Sequence, residues 1–402
     1  MILNNKVLRE GYLKRLRGGK DVTHTAKIIT GVRRCGKSTL MRQYMAELAG
    51  SGIGTDRIFY FNMESEEYKD VRDSETLGRI IKETVAKDRR TYIFFDELQR
   101  VDGWERNINS LMADYDADIY ITGSNAYLLS SELATYMSGR YVEIRMLPLS
   151  FREYLELHPA DEKKNLDMRF SEYMIYGAVP IIDPDAEDKE FLWGQIEGAY
   201  NTVLIKDVLA RMTPRDTTDL EAVSKYLYSN IGNLTNSLNI SRSSGITPMT
   251  AKTYVRALED AFLFYKVYRY DTRGKRILKS SEKYYASDVG MRNAALNCGA
   301  SDTGRLLENI VFLELIRRGY KVTVGSFRDT EIDFTAQKPG RTEYFQVTES
   351  LIFNKNAERE VRSLETVNDN FPKTILSLDR LPKDPGSGIM HLNVIDWLLG
   401  GE

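Results

Sequence analysis

Cysteine and histidine are nearly missing from this chain of 402 residues, which holds two cysteines, Cys35 and Cys298, and three histidines, His24, His158 and His391. Two cysteines cannot build a disulfide framework and suit a reducing compartment. The three histidines stand too far apart in sequence to suggest a zinc motif. No run approaches the roughly 18 uncharged apolar residues that a membrane helix needs. The first 27 residues scatter Lys6, Arg9, Lys14, Arg15 and Arg17 among single leucines, without the apolar block of a signal peptide. A charge excess of one sign is lacking too, with 56 Lys and Arg against 58 Asp and Glu. That balance excludes a bulk polycation and leaves room for a local basic face. Repeats, low-complexity tracts and long Pro-, Gly- or Ser-rich linkers are absent. What is present is an ordinary globular composition, long enough for about two to four domains. The expectation is a cytoplasmic, multidomain protein with no membrane partner.

Domain boundaries must come from changes of pattern. Residues 1–27 place Leu8, Tyr12, Leu13 and Leu16 at helical spacing, predicting a short helical arm. Residues 28–154, entered through an apolar run at 26–30, alternate further runs at 57–62, 92–95 and 118–122 with amphipathic stretches. That alternation is the signature of a parallel α/β sheet. Residues 155–213 turn helical, interrupted by Gly177 and Pro180, and 214–290 read as a helix–helix–hairpin unit. Residues 300–402 open with a helix near 306–318 and return to α/β.

The segment Gly31-Val32-Arg33-Arg34-Cys35-Gly36-Lys37-Ser38 fits G-x-x-x-x-G-K-[ST], between a predicted strand and an amphipathic stretch that starts at Thr39. A tight glycine-containing loop turns successive N–H groups inward, and the helix behind it adds its positive end. Residues 31–39 would thus cradle the phosphates of ATP. Lys37 would reach the β- and γ-phosphates, and the Ser38 hydroxyl would complete a Mg²⁺ shell. Cys35 inside the loop reads either as an oxidation-sensitive thiol or as a small packing residue. A second predicted strand ends in Asp96-Glu97, where open α/β sheets carry their active sites. Asp96 suits the Mg²⁺ shell, and Glu97 can polarise an attacking water. At the end of a third strand, Ser124 or Asn125 could sense the γ-phosphate or simply cap the next helix.

Taken together these residues resemble a family of prokaryotic AAA-type ATPases that join an ATPase core to a C-terminal half known only as a domain of unknown function. The resemblance rests on Gly31 to Ser38, on Phe94-Phe-Asp-Glu-Leu-Gln99 with Trp104, and on Thr122-Gly-Ser-Asn125. It extends to Ser138-Gly-Arg-Tyr141 and Pro148-Leu-Ser-Phe-Arg-Glu-Tyr154. It implies that Asp96 and Glu97 are the Walker B pair and that Ser124 and Asn125 hold the sensor position. It places Arg140 where related ATPases keep a charge-stabilising arginine; an ion pair with Glu143 is the alternative. Relatives of this type form rings, so self-assembly is implied, with Arg140 acting in its own subunit or in a neighbour.

In the central unit, a helix near 220–231 and a shorter one near 234–240 precede a third introduced by Thr247 and Pro248. Tyr254, Val255, Leu258 and Phe262 take core spacing on it, while Thr250, Lys252, Thr253 and Arg256 face outward. A strand–turn–strand follows, and the whole resembles a winged helix. Its hairpin carries Lys266, Arg269, Arg273, Lys275, Arg276, Lys279 and Lys283 against Asp271 and Glu282. This bias suits the backbone of double-stranded DNA, with Lys252, Arg256, Arg273, Lys275 and Arg276 as candidate contacts. A solvated face or a packing module accounts for it equally.

The last segment places Glu308 on a helix, then Glu331-Ile-Asp333, then a strand through Gln346-Val-Thr348. The order resembles the PD-(D/E)xK nuclease fold, whose sites need carboxylates for a metal and a lysine for charge. Here the (E/Q)-x-K element reads Gln346-Val-Thr348, so the lysine is missing, and nothing in the spacing supports Lys355 as a substitute. A catalytically silent nuclease-like domain is expected. The fold class is therefore α/β: a P-loop NTPase sheet with a helical lid, a winged-helix domain and a C-terminal α/β nuclease-like domain. The leading function is an ATP-hydrolysing switch acting on DNA. The alternatives are a nucleotide-dependent protein-interaction module and an ATP-regulated nuclease.

Overall fold

The computed structural model describes residues 7–126, 137, 139–212, 217–271, 276–298, 302–327, 330–352, 357–381 and 383–400. Arg273, Lys275, Ser138 and Lys355 lie outside the described residues, and of Arg276 only the backbone is described. The chain divides into two units, Met1–Pro148 with Asp260–Phe262, and Leu149–Glu259 with Leu263–Glu402.

The first unit is a five-stranded sheet of β1 (Ala26–Thr30), β2 (Ile58–Asn62), β3 (Thr91–Asp96), β4 (Ala117–Gly123) and β5 (Tyr141–Arg145). The order is β2-β3-β4-β1-β5, with every pair parallel. Parallel neighbours require crossovers, supplied by α2 (Lys37–Gly50), α3 (Ser74–Thr84) and α4 (Trp104–Asp114). β1, β3 and β4 are buried along their whole length, because helices cover both faces of such a sheet. They therefore read as continuous apolar runs rather than alternations. A core of Ile28, Phe61, Ile93, Phe95, Ile119 and Ile121 joins Leu77 and Ile81 of α3 to Ile108 and Leu111 of α4. The predicted arm is a helix, α1 (Glu10–Gly18), buried through Tyr12, Leu13 and Leu16. Leu8, expected on the same face, is exposed, and Arg9 beside it is buried.

The second unit begins with α5 (Phe151–Leu157), α6 (Leu166–Tyr176) and α7 (Lys189–Val203). Ser150 and Glu153 close a reciprocal capping box at the start of α5. Then come α8 (Thr217–Ser229), α9 (Ser237–Ser244) and α10 (Pro248–Asp260). The Asn236 side chain caps α9 by accepting from the amides of Leu238 and Asn239, and Gly245 ends it in the left-handed region. Thr247 Oγ1 accepts from the Thr250 amide at 3.2 Å, so Thr247 and Pro248 open α10 as the sequence predicts. Ala251, Tyr254, Val255 and Leu258 are buried, while Lys252, Thr253 and Arg256 are exposed.

The hairpin after α10, β6 (Phe264–Asp271) and β7 (Arg276–Ala286), is part of a larger sheet. Five further strands complete it: β8 (Lys321–Phe327), β9 (Thr330–Lys338), β10 (Arg341–Val347), β11 (Lys373–Ser377) and β12 (Met390–Asn393). The order is β12-β11-β10-β9-β8-β6-β7, in which β6 pairs parallel with β8 at Arg269↔Val324. The helices α11 (Val289–Ala295), α12 (Thr303–Arg317), α13 (Ala357–Glu365) and α14 (Val394–Leu399) complete this unit. Among the described residues no helix is long and apolar enough to cross a membrane.

Candidate nucleotide site and a buried charge cluster

The loop between β1 and α2 is bent at Gly31 (φ 149°) and Gly36 (φ 105°). A Cβ on Gly31 would lie 2.1 Å from the Met146 carbonyl oxygen, so only glycine fits there. Arg34 (φ 68°) also takes the left-handed region. Val32 and Cys35 are fully buried, and Cys35 Sγ lies 3.6 Å from the Met146 oxygen, a packing position for the thiol. Lys37 is buried at the first turn of α2, its Nζ donating to the carbonyls of Gly31 at 2.9 Å and Val32 at 3.2 Å.

Asp96 ends β3 opposite this turn. Its Oδ1 accepts from Ser38 Oγ at 3.0 Å and also from Thr122 Oγ1, and its Oδ2 accepts from the Tyr60 hydroxyl at 2.6 Å. Burial and the adjacent Asp96 charge push the Tyr60 phenol above its ordinary range. Glu97 follows at φ 55°, a strained conformation for a residue with a side chain. Its amide donates to Thr122 Oγ1 at 2.9 Å, and its Oε2 accepts from Ser124 Oγ at 3.2 Å and from Gln99 Nε2. Lys37 Nζ stands 4.0 Å from Glu97 Oε1. The structure thus brings Gly31, Lys37, Ser38, Asp96, Glu97 and Ser124 together. Asn125 follows, buried, and Thr39 continues α2. Arg33 is turned aside to Glu64 at 3.1 Å.

Arg140 does not join this group. Its carbonyl accepts from the Ala26 amide, which places it beside the start of β1. The loop follows the other end of that strand, roughly 15 Å away at about 3.3 Å per residue. Its guanidinium donates to Asn109 Oδ1 at 2.9 Å and to the Met137 carbonyl, not to Glu143. Glu143 instead accepts from Thr30 Oγ1 at 2.7 Å.

Three participants escaped sequence reasoning. Tyr60 and Gln99 lie on or after strands whose ends face the loop, a placement that needs the strand order. Arg9 is buried with Nη1 donating to the Cys35 carbonyl at 3.1 Å and Nη2 to that of Leu147 at 2.9 Å. It looked like one more surface charge of the arm.

In the second unit, Glu308 of α12, Asp333 and Glu331 of β9 and Gln346 of β10 meet. A lysine of β7 joins them. Lys283 Nζ lies 3.0 Å from Glu308 Oε1 and 2.9 Å from Glu331 Oε1. This corrects the reading of the hairpin, since Lys283 is buried and cannot meet a phosphate backbone. Lys266 is half-buried, 3.2 Å from Glu259. The Tyr285 hydroxyl donates to Glu308 Oε1 at 2.6 Å. Asp333 Oδ2 accepts from the Val347 amide at 2.9 Å, and burial beside Glu308 pushes its carboxyl well up. Gln346 Nε2 donates to Glu360 Oε2 at 2.6 Å, and Thr348 Oγ1 is turned to the Ser350 carbonyl at 3.4 Å. Gly232 closes over the same carboxylate: a Cβ there would lie 3.0 Å from Glu308 Oε2.

A parallel five-stranded sheet with a glycine loop after its first strand defines an AAA-type, P-loop ATPase-like domain, and the AAA domain family matches residues 23–155. A Domain of unknown function (DUF8612) matches residues 167–302. An uncharacterized protein of Haemophilus influenzae is 40% identical over 401 residues, covering 98% of each chain. The chain belongs to that family of AAA-domain proteins. An uncharacterized protein of Methanocaldococcus jannaschii is 29% identical over 366 residues, 86% of this chain and 79% of its own. Among solved structures, a replication initiator DnaA bound to AMPPCP and single-stranded DNA shares 15% identity at a TM-score of 0.29, over 64% of this chain and 91% of its own.

Proposed function

We propose that the chain binds ATP with Mg²⁺ at residues 31–39 and hydrolyses it, and that nucleotide state controls how the second unit engages DNA in the cytoplasm. The observation that carries the reading is the meeting of Ser38 Oγ and Asp96 Oδ1 at 3.0 Å, with Lys37 and Glu97 alongside. A hydroxyl and a carboxylate at that spacing suit a Mg²⁺ ion, which would neutralise charge between the β- and γ-phosphates. Lys37 would exchange two loop carbonyls for phosphate oxygens. Glu97, oriented by Ser124 and Gln99, would accept the proton of the attacking water. Asn125 would stand beside the γ-phosphate. Arg140, out of reach of its own loop, would serve only the site of a second copy.

Residues 28–154 would then be the ATPase core, 155–213 its lid, 214–290 a winged-helix-like module and 300–402 a nuclease-like module. The exposed Lys252 and Arg256 on α10 support DNA contact, and Arg273, Lys275 and Arg276 belong to the same proposal. Lys37→Ala and Glu97→Gln should each lower phosphate release by about 10²-fold or more. Unchanged release in both variants defeats the reading. Lys252→Glu with Arg256→Glu should weaken DNA binding and flatten its salt dependence.

The nuclease alternative gains one specific support, the Lys283 ammonium beside Glu308 and Glu331. Against it, that ammonium is bound in ion pairs with Glu308 and Glu331, and Gly232 packs on Glu308. We infer a closed structural cluster, so no Mg²⁺-dependent DNA cleavage is expected. Cleavage abolished by both Asp333→Ala and Lys283→Met would overturn that.

A further inference from the structure

We propose that Thr30, Glu143, Arg145 and Phe262 form a relay that carries the nucleotide state of the phosphate loop to α10, the helix bearing Lys252 and Arg256. The relay rests on the reading of residues 31–39 as an ATP site and supplies the route of its signal. Its far end is Phe262, two residues past the end of α10 and part of the first unit. Phe262 takes φ 57°, and the Leu263 amide donates to the Leu258 carbonyl at 3.1 Å, so α10 closes on a left-handed residue. Glycine is usual at that position, and a bulky side chain there persists only where its surroundings hold it. The Phe262 side chain is buried, and the Arg145 guanidinium stands 5.7 Å from the centre of its ring. That separation is a cation–π contact.

The near end is the phosphate loop. Thr30, the residue before Gly31, pairs in register with Arg145 across the parallel β1 and β5 strands. Thr30 Oγ1 donates to Glu143 Oε1 at 2.7 Å. Arg145 Nε and Nη2 donate to the two Glu143 oxygens at 3.2 and 3.4 Å. The Met146 amide donates to the Thr30 carbonyl at 2.7 Å, and Gly31 lies so close to the Met146 carbonyl that no Cβ fits between them. Arg145 is thus held from the loop twice, through its guanidinium and through the peptide that follows it.

Coupling between two sites needs an element with two discrete arrangements that both sites bias. Lys37 provides it. Its Nζ donates to the carbonyls of Gly31 at 2.9 Å and Val32 at 3.2 Å, and a triphosphate would claim the same ammonium. The Gly31 carbonyl then loses its donor, and its peptide turns to find another. A close-packed interior passes such a shift on rather than absorbing it. Met146, packed against Gly31, moves with it, and Arg145 carries the movement to the Phe262 ring and so to the end of α10. By reciprocity, a ligand held by Lys252 and Arg256 would alter the affinity of the loop for nucleotide.

The test uses the full chain carrying Glu97→Gln, with backbone hydrogen exchange followed with and without ATP and Mg²⁺. Nucleotide should slow exchange at residues 31–39 and change it about fivefold or more along α10. Adding Arg145→Ala or Phe262→Leu should leave the protection of the loop unchanged and abolish the response of α10. The two together should do no more than either alone, as links of one chain. Arg145 is 46% exposed on its side chain, so its variant keeps the fold even where Phe262→Leu does not. Three results would each overturn the relay: a protected loop with a silent α10, an α10 that responds equally in Arg145→Ala, or loop protection lost in Arg145→Ala, which would make the residue a support of the loop. A loop that ATP does not protect in the Glu97→Gln parent would instead defeat the ATP site, and the relay with it.

Discussion

Asp288 shows how one carboxyl can set a pH dependence. It is fully buried at the start of α11, its oxygens accepting from the amides of Ala178 at 2.7 Å and Met291 at 2.9 Å. Burial pushes it up to about 6 from an ordinary 3.8, the backbone amides offsetting only part of that cost. Between those values the folded chain keeps a proton that the unfolded chain has released. Stability therefore falls as pH rises through that window, by about 3 kcal/mol in all. Asp288→Asn does not titrate there and serves as the reference. Relative to it, the wild type should lose up to about 3 kcal/mol of unfolding free energy between pH 4 and pH 7. A difference that stays flat with pH in denaturant titrations would show that Asp288 is ionised throughout.

At the level of elements, α1 and the phosphate loop depend on one side chain. Arg9 satisfies buried carbonyls of Cys35, Leu147 and Pro148, which water cannot reach once the arm has docked. Arg9→Ala should cost about 1–3 kcal/mol in thermal unfolding and weaken nucleotide binding through the loosened loop. Arg9→Lys should not restore either, because a point charge lacks the planar fork that spans three acceptors. Full nucleotide affinity in Arg9→Ala would mean the loop holds its shape unaided. The arm itself was legible in the spacing of Tyr12, Leu13 and Leu16, but Arg9 was not, since its partners lie far along the chain. The strands divide in the same way. β1 could be read directly because both of its faces are buried. β5 could not, because Tyr141-Val-Glu-Ile-Arg145 is an edge strand with Val142 and Arg145 exposed, and pairing with β1 is what defines it. Lys283 shares that opacity. Its ion pairs with Glu308 and Glu331 form across tens of residues, and a motif search sees only neighbours.

For the whole molecule, the question is which of the two units responds to ATP. Ligand that binds only the folded form stabilises it by about 2.7 kcal/mol at a hundredfold excess over its dissociation constant. The proposed contacts come from residues 31–39, Asp96, Glu97 and Ser124, all in the first unit. Backbone hydrogen exchange should therefore slow at the β1–α2 loop and at the carboxyl ends of β3 and β4 when ATP and Mg²⁺ are added to Glu97→Gln, which binds without turnover. Lys37→Ala should show no such slowing, since its phosphate contact is gone. Slowing in α9, α10 and β7 under the same conditions would be the sign of a switch, because none of the proposed nucleotide contacts lies on those elements. If those elements exchange identically with and without nucleotide while the loop is protected, the chain binds ATP without passing the signal on. Control of DNA engagement by nucleotide would then fall, with the site itself intact.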